Sequence, residues 1–88
     1  MRLPKGLSIT PYQNKTIARL YQTNIVEIDH ETGCITLRNG GWLTKHTKKC
    51  TNLVLAKFNI NVRQKNFTWY VETQNGTLEY QDGMVFNV

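Results

Sequence analysis

Three lysines crowded at the start of one helix are the side chains in this sequence best placed to hold another molecule. The run Gly40-Gly41-Trp42-Leu43-Thr44-Lys45-His46-Thr47-Lys48-Lys49 brings Lys45, Lys48 and Lys49 together. A helix begins with free backbone N–H groups and a partial positive charge, so a cation there is unfavourable by about some tenths of a kcal/mol. A chain that accepts this gains a focused positive patch suited to phosphate or carboxylate. Thr44 and Thr47 add hydroxyl donors. Against this stands the plainer reading, in which the lysines point into water and keep the helix soluble.

A second cationic group is Arg63 and Lys65, flanked by Phe67 and Tyr70. Cations interleaved with aromatics suit single-stranded nucleic acid, where bases stack and phosphates pair. Alternation puts Phe67 and Trp69 on one strand face, as core, and leaves Tyr70 free to stack. The stretch Lys65–Val71 does not fit the consensus of RNA-recognition motifs.

Catalysis needs convergent polar groups: a nucleophile beside a base, paired acids or metal ligands. Asp29-His30-Glu31 is the single dense titratable cluster, and it reads as a solvated turn; Glu72, Glu79 and Asp82 stand apart. Gly40-Gly41 lacks both the phosphate-loop lysine and the dinucleotide fingerprint. Cys34, Cys50, His30 and His46 lack the spacing of a zinc site. The two cysteines read as small, reduced core residues. The sequence therefore implies no enzyme, no metal and no cofactor.

The elements that must position these groups fit one domain. The chain has 88 residues, a hydrophobic fraction of 40% and a net charge of +5. That is too apolar for a disordered chain, and the charge favours anionic partners. Met1–Gly6 is not followed by an apolar signal segment, and no apolar run is long enough to span a membrane, so a cytoplasmic protein is expected. The glycosylation sequons at Asn14, Asn66 and Asn75 are then coincidental.

Residues 1–14, with Pro4, Gly6 and Pro11, read as an irregular N-terminal arm, and 15–88 as a single α+β domain. Lys15–Tyr21 and Asn24–Asp29 read as two strands or as one long strand with a bulge; the latter segment forms a hairpin with Cys34–Arg38 across His30–Gly33. The helix follows, capped by Thr44 or Thr47. Its apolar stripe is Cys50, Leu53, Val54 and Phe58, with Asn59 as a left-handed stop. Trp42 is placed to lock the incoming loop against the core. Ile60–Arg63 and Phe67–Glu72 flank a Gln64-Lys65-Asn66 loop. Asn75-Gly76 is the strongest hairpin signal, as the centre of a type I′ turn. Met84–Val88 pairs as a terminal edge strand. The predicted fold is a small antiparallel sheet, in the order β-β-β-α-β-β-β, with one helix packed on one face.

The runs Leu20–Val26, Ile35-Thr36-Leu37 with Gly40-Gly41-Trp42, Thr44-x-x-Thr47, and Trp69-Tyr70-Val71 resemble small proteins of tailed bacteriophages that carry no assigned activity. The resemblance spans residues 15–85. It implies the cytoplasm of an infected bacterium, and action by binding, redirecting or blocking a host or defence protein. The reading that follows is a non-enzymatic phage accessory factor that engages a host or defence macromolecule. Its site is Lys45, Lys48 and Lys49 with Thr44 and Thr47, and the expected partner is a host or defence-system protein. The alternative is direct nucleic-acid binding by the same patch. A third is self-association through the edge near Met84–Val88.

Overall fold

The structure is a computed structural model that describes residues 3–41 and 44–87. Four strands precede the helix: β1 (Leu7–Tyr12), β2 (Lys15–Leu20), β3 (Thr23–Asp29) and β4 (Cys34–Leu37). Helix α1 (Lys45–Leu55) runs into a 3-10 turn (Ala56–Phe58) and is followed by β5 (Asn61–Lys65), β6 (Thr68–Thr73), β7 (Gly76–Glu79) and β8 (Met84–Asn87). The class is α+β, as expected from the sequence. The strands form two antiparallel sheets rather than one, in the orders β1-β2-β3-β4-β8 and β5-β6-β7.

One difference from the sequence reading has a clear cause. Residues 7–12 are not an irregular arm but strand β1, paired with β2 from Leu7↔Leu20 to Tyr12↔Lys15. Pro11 is compatible with this because β1 is an edge strand, where a missing N–H is tolerated. The terminal strand β8 pairs at a sheet edge, as expected, and its partner is β4, across the helix and the second sheet. Two bonds return the chain: Gly83 N–H donates to Leu37 O at 2.7 Å and Asn39 N–H to Asp82 Oδ1 at 2.8 Å.

The core lies where the larger sheet, the helix and the smaller sheet meet. Across the larger sheet, Ala18, Val26 and Leu37 form one register row, and Ile28 and Ile35 another. All of these are buried, as period-2 alternation requires. Each fully buried aliphatic side chain contributes about 1.5–3 kcal/mol. The smaller sheet adds Val62, Trp69 and Val71, and Tyr80 meets Trp69 edge to face at 5.3 Å.

Helix α1 begins at Thr44, whose Oγ1 accepts from Thr47 N–H at 3.1 Å. The 3-10 turn that extends it ends at Asn59, which has φ 58° and donates its N–H to Ala56 O. Of the expected stripe, Cys50 and Val54 are buried, while Leu53 and Phe58 are half-buried. Thr47, Thr51 and Leu55 complete the buried face. Thr51 tolerates burial because its hydroxyl donates to Thr47 O at 2.9 Å, one turn back. Asn52 then fixes the helix to the smaller sheet: its Oδ1 accepts from Val62 N–H at 2.6 Å and its Nδ2 donates to Val62 O at 3.0 Å. Trp42, expected to lock the loop before the helix, lies outside the described residues.

Both hairpins of the smaller sheet close differently from expectation. Between β6 and β7 the register Thr73↔Gly76 puts Gln74-Asn75 at the tip, one residue earlier than the Asn75-Gly76 pair. Thr73 Oγ1 sets that shift by accepting from Asn75 N–H and donating to Gly76 O. Between β5 and β6 the register Lys65↔Thr68 leaves Asn66 and Phe67 as the two tip residues, with φ 51° and 66°. Two successive positive φ values are the signature of a type I′ turn. Phe67, expected in the core beside Trp69, is therefore expelled from the strand and stands 95% exposed.

Candidate basic and aromatic binding surface

Lys45, Lys48 and Lys49 share one face of α1. At about 100° per residue they fall within about 100° of arc, opposite the buried Thr47, Cys50 and Val54. Lys45 and Lys49 are exposed. Lys48 is half-buried, and its Nζ lies 5.9 Å from the centre of the Trp69 ring, so its stem covers the joint between helix and hairpin. The first turn holds no acidic residue.

The two threonines are arranged differently from the lysines. Thr44 is exposed and its hydroxyl is the helix cap. Thr47 is 3% exposed and its hydroxyl is within 3.0 Å of Thr44 Oγ1. Both hydroxyls thus serve the helix start, and the ligand-binding capacity of this end rests on the lysines.

The second patch is partly self-satisfied. Arg63 and Tyr70 are cross-strand partners on the outer face of the smaller sheet. The Arg63 guanidinium lies 5.5 Å over the Tyr70 ring, and its Nε is 2.8 Å from Glu72 Oε2. Glu79 stands opposite Tyr70 on β7. Tyr70, expected to be the free stacking ring, is occupied by Arg63 and bordered by carboxylates. Lys65 is exposed at the outer end of β5, beside the Asn66-Phe67 tip. The structure thus brings Lys65 and Phe67 together and withdraws Arg63 and Tyr70.

One signal in the sequence marks this half of the molecule. Residues 32–71 contain seven of the eleven Lys and Arg residues and no Asp or Glu. Arg38 pairs with Glu27 and Arg63 with Glu72, both acids outside that run. Among the described residues, the five lysines of the run make no ion pair. Lys45, Lys48 and Lys49 on the helix and Lys65 on the adjoining hairpin therefore belong to a stretch of chain without carboxylates, while Glu72 and Glu79 stand on the sheet face that carries Lys65.

Other reactive groups are committed to local structure. Asp29 Oδ1 accepts from Glu31 N–H at 3.0 Å and Thr32 N–H at 3.3 Å. The Thr32 N–H is the main cause holding this carboxyl below its usual range; partial desolvation opposes it, and the Glu31 N–H and Lys15 charge add to it. His30 Nε2 meets Thr16 Oγ1 at 2.7 Å. Cys50 is fully buried and desolvation pushes its thiol up. Cys34, expected in the core, is half-buried on β4, with its thiol 3.0 Å from Asn87 Oδ1. Both cysteines are free thiols. A cleft of about 640 Å³ lies between the β2–β3 turn and the start of α1, lined by Leu20, Tyr21, Ile25 and His46 among others. No Lys, Arg, Asp or Glu of the described residues lines it.

No curated protein and no solved structure matches the chain. The sequence profile described as Kyanoviridae Gp96 protein, a phage family, matches residues 7–87, from the first residue of β1 to the last of β8. With both sheets and the helix inside that match, the chain belongs to the Kyanoviridae Gp96 protein family.

Proposed function

We propose that this phage protein acts without catalysis, as an accessory factor that binds a host or defence macromolecule and thereby redirects or blocks it. The observation that supports this is the face of α1 carrying Lys45, Lys48 and Lys49 within a carboxylate-free stretch of chain. Such a face attracts an anionic partner and speeds its encounter. An acidic protein surface is the first partner chemistry, in keeping with a phage setting inside a bacterial host. Nucleic acid is the second, favoured by one specific observation: the exposed Phe67 beside Lys65.

The test is charge reversal of Lys45, Lys48 and Lys49 to Glu, with affinity capture of the tagged protein from bacterial lysate, with and without nuclease. The wild type is expected to retain a discrete macromolecule and the triple variant to lose it. Acidic residues in the first turns of a helix stabilise it by about 0.3–1 kcal/mol each. The gain applies to Lys45, while loss of the Lys48 stem over Trp69 works against it, so a cooperative melt of the triple variant separates lost binding from lost folding. Retention of the same macromolecule by the triple variant would overturn the reading.

A further inference from the structure

We infer that the tip of the β5–β6 hairpin is a stacking site for single-stranded nucleic acid, with Phe67 as the platform and the helix lysines as phosphate contacts. The inference rests on the proposed function and names the partner class.

Phe67 is 95% exposed and adopts φ 66°. A residue with a Cβ pays for that conformation, and a bulky side chain there is rare. Type I′ tips favour Asn-Gly, and here Asn66 fills the first position normally while a phenyl ring replaces glycine in the second. The chain thus holds an aromatic ring in water on a stiff two-residue turn.

The neighbours of the ring decide what it suits. Gln64, Lys65 and Asn66 are exposed polar residues and Thr68 is half-buried. A protein-binding anchor sits in a broader apolar patch that excludes water. A lone ring among cations and amides suits a base, since every base offers a π-face and stacking does not require an apolar surround. Bases are open to such stacking in single strands, not inside a duplex.

The route away from the tip is equally asymmetric. On the outer face of the smaller sheet stand Glu72 and Glu79, which repel phosphate. Toward the helix, Lys48 lies over Trp69, the cross-strand partner of Gln64, and Lys45 and Lys49 continue the same helix face. A strand stacked on Phe67 is thereby led past Lys48 onto α1, while Lys65, at the outer end of β5, adds positive charge at the tip itself.

The experiment is fluorescence anisotropy with labelled oligothymidylate of about 15 nucleotides, a length within the range of one small domain's site, and with a matched duplex. The variants are Phe67→Ala, Phe67→Trp and the triple lysine reversal, and heparin retention is measured in parallel. The expected result is preference for the single strand and a loss of about 5- to 150-fold in Phe67→Ala, the range that base–aromatic stacking supplies. Phe67→Trp should bind at least as well as the wild type. Heparin retention should be unchanged in Phe67→Ala and reduced in the triple variant. Equal oligonucleotide affinity in wild type and Phe67→Ala overturns the stacking site. Absent oligonucleotide binding alongside normal heparin retention also overturns it, and leaves an acidic protein as the partner of the lysine face. Unchanged heparin retention and unchanged capture by the triple variant would instead remove the proposed function itself.

Discussion

Strand β6 enters one hairpin and leaves another, and its two turns solve the same geometric problem in opposite ways. At the β6–β7 turn a threonine hydroxyl ties down the tip, and Gly76, at φ 130°, takes the conformation that side chains resist. At the β5–β6 turn no glycine is used: Asn66 and Phe67 both sit at positive φ, and Phe67 projects into water. The first turn is built for closure alone. The second accepts local strain and displays a ring, and retained strain at an exposed aromatic is a pointer to function rather than to folding.

Both turns fail together if β6 itself is undermined. Trp69 is buried between Tyr80 and the Lys48 stem, and both hairpins depend on it. Trp69→Ala should cost about 3–5 kcal/mol, read as a large drop in the midpoint of urea unfolding, with both turns lost together.

Changes at the tips sharpen the contrast because they should carry opposite signs. A Cβ at Gly76 would meet no atom within 4 Å, so Gly76→Ala is governed by backbone conformation alone and should cost about 1–2 kcal/mol. Phe67→Gly relieves about 1–2 kcal/mol of left-handed strain, and glycine's freedom in the unfolded chain returns about 0.5–1 kcal/mol of that. A net gain of up to about 1.5 kcal/mol is expected. Thermal melts of the two variants should therefore move in opposite directions from the wild type.

The smallest effect concerns Tyr80, which supports β6 from below. Its ring is buried and its hydroxyl has no hydrogen-bond partner among the described residues. Desolvation is the main cause pushing its pKa up to about 12; the nearby Asn39 side chain offsets part of this and the Asp82 charge adds to it. The folded state thus holds the phenolic proton more tightly than the unfolded chain, which loses it near pH 10. Stability attached to that proton is complete below about pH 10 and declines as pH rises toward 12. Tyr80→Phe should flatten this alkaline decline and leave stability at neutral pH unchanged or slightly raised, as followed by melts across the pH series.

Much of this was legible from residue order. Alternation at Cys34–Leu37 and Asn24–Asp29 located a hairpin, and the Thr44 cap, the Cys50–Val54 stripe and the Asn59 stop located the helix. These signals are local, so they survive without knowledge of the fold. The two-sheet arrangement was not legible, because β8 pairs with β4 across 46 intervening residues and nothing near Met84 specifies that partner. Pro11 hid β1, since a proline is acceptable only once the strand is known to lie at an edge. Thr47 and Thr51 were unreadable as core, because their hydroxyls are satisfied by helix neighbours.

At the candidate site the lysines were visible as types and spacing, and their common face followed from helical periodicity. Phe67 was misplaced for a definable reason: it shares the alternation phase of Trp69 and Val71, and a turn one residue closer removes it from the strand. The pairing of Arg63 with both Tyr70 and Glu72 required the cross-strand register. The run of residues 32–71 without Asp or Glu was present in the sequence and marks the same half of the molecule.

The clasp between Asn52 and Val62 has a kinetic consequence. Val62 lies on β5, at the margin of its sheet, where an outward amide hydrogen ordinarily exchanges with solvent in the first and least costly openings of a protein. Here that hydrogen is held by an amide oxygen of α1 at 2.6 Å. It can be replaced by deuterium once the Asn52 side chain releases β5. The exchange rate of this one proton therefore reads how often that clasp opens, and a ligand that bridges helix and hairpin should slow it.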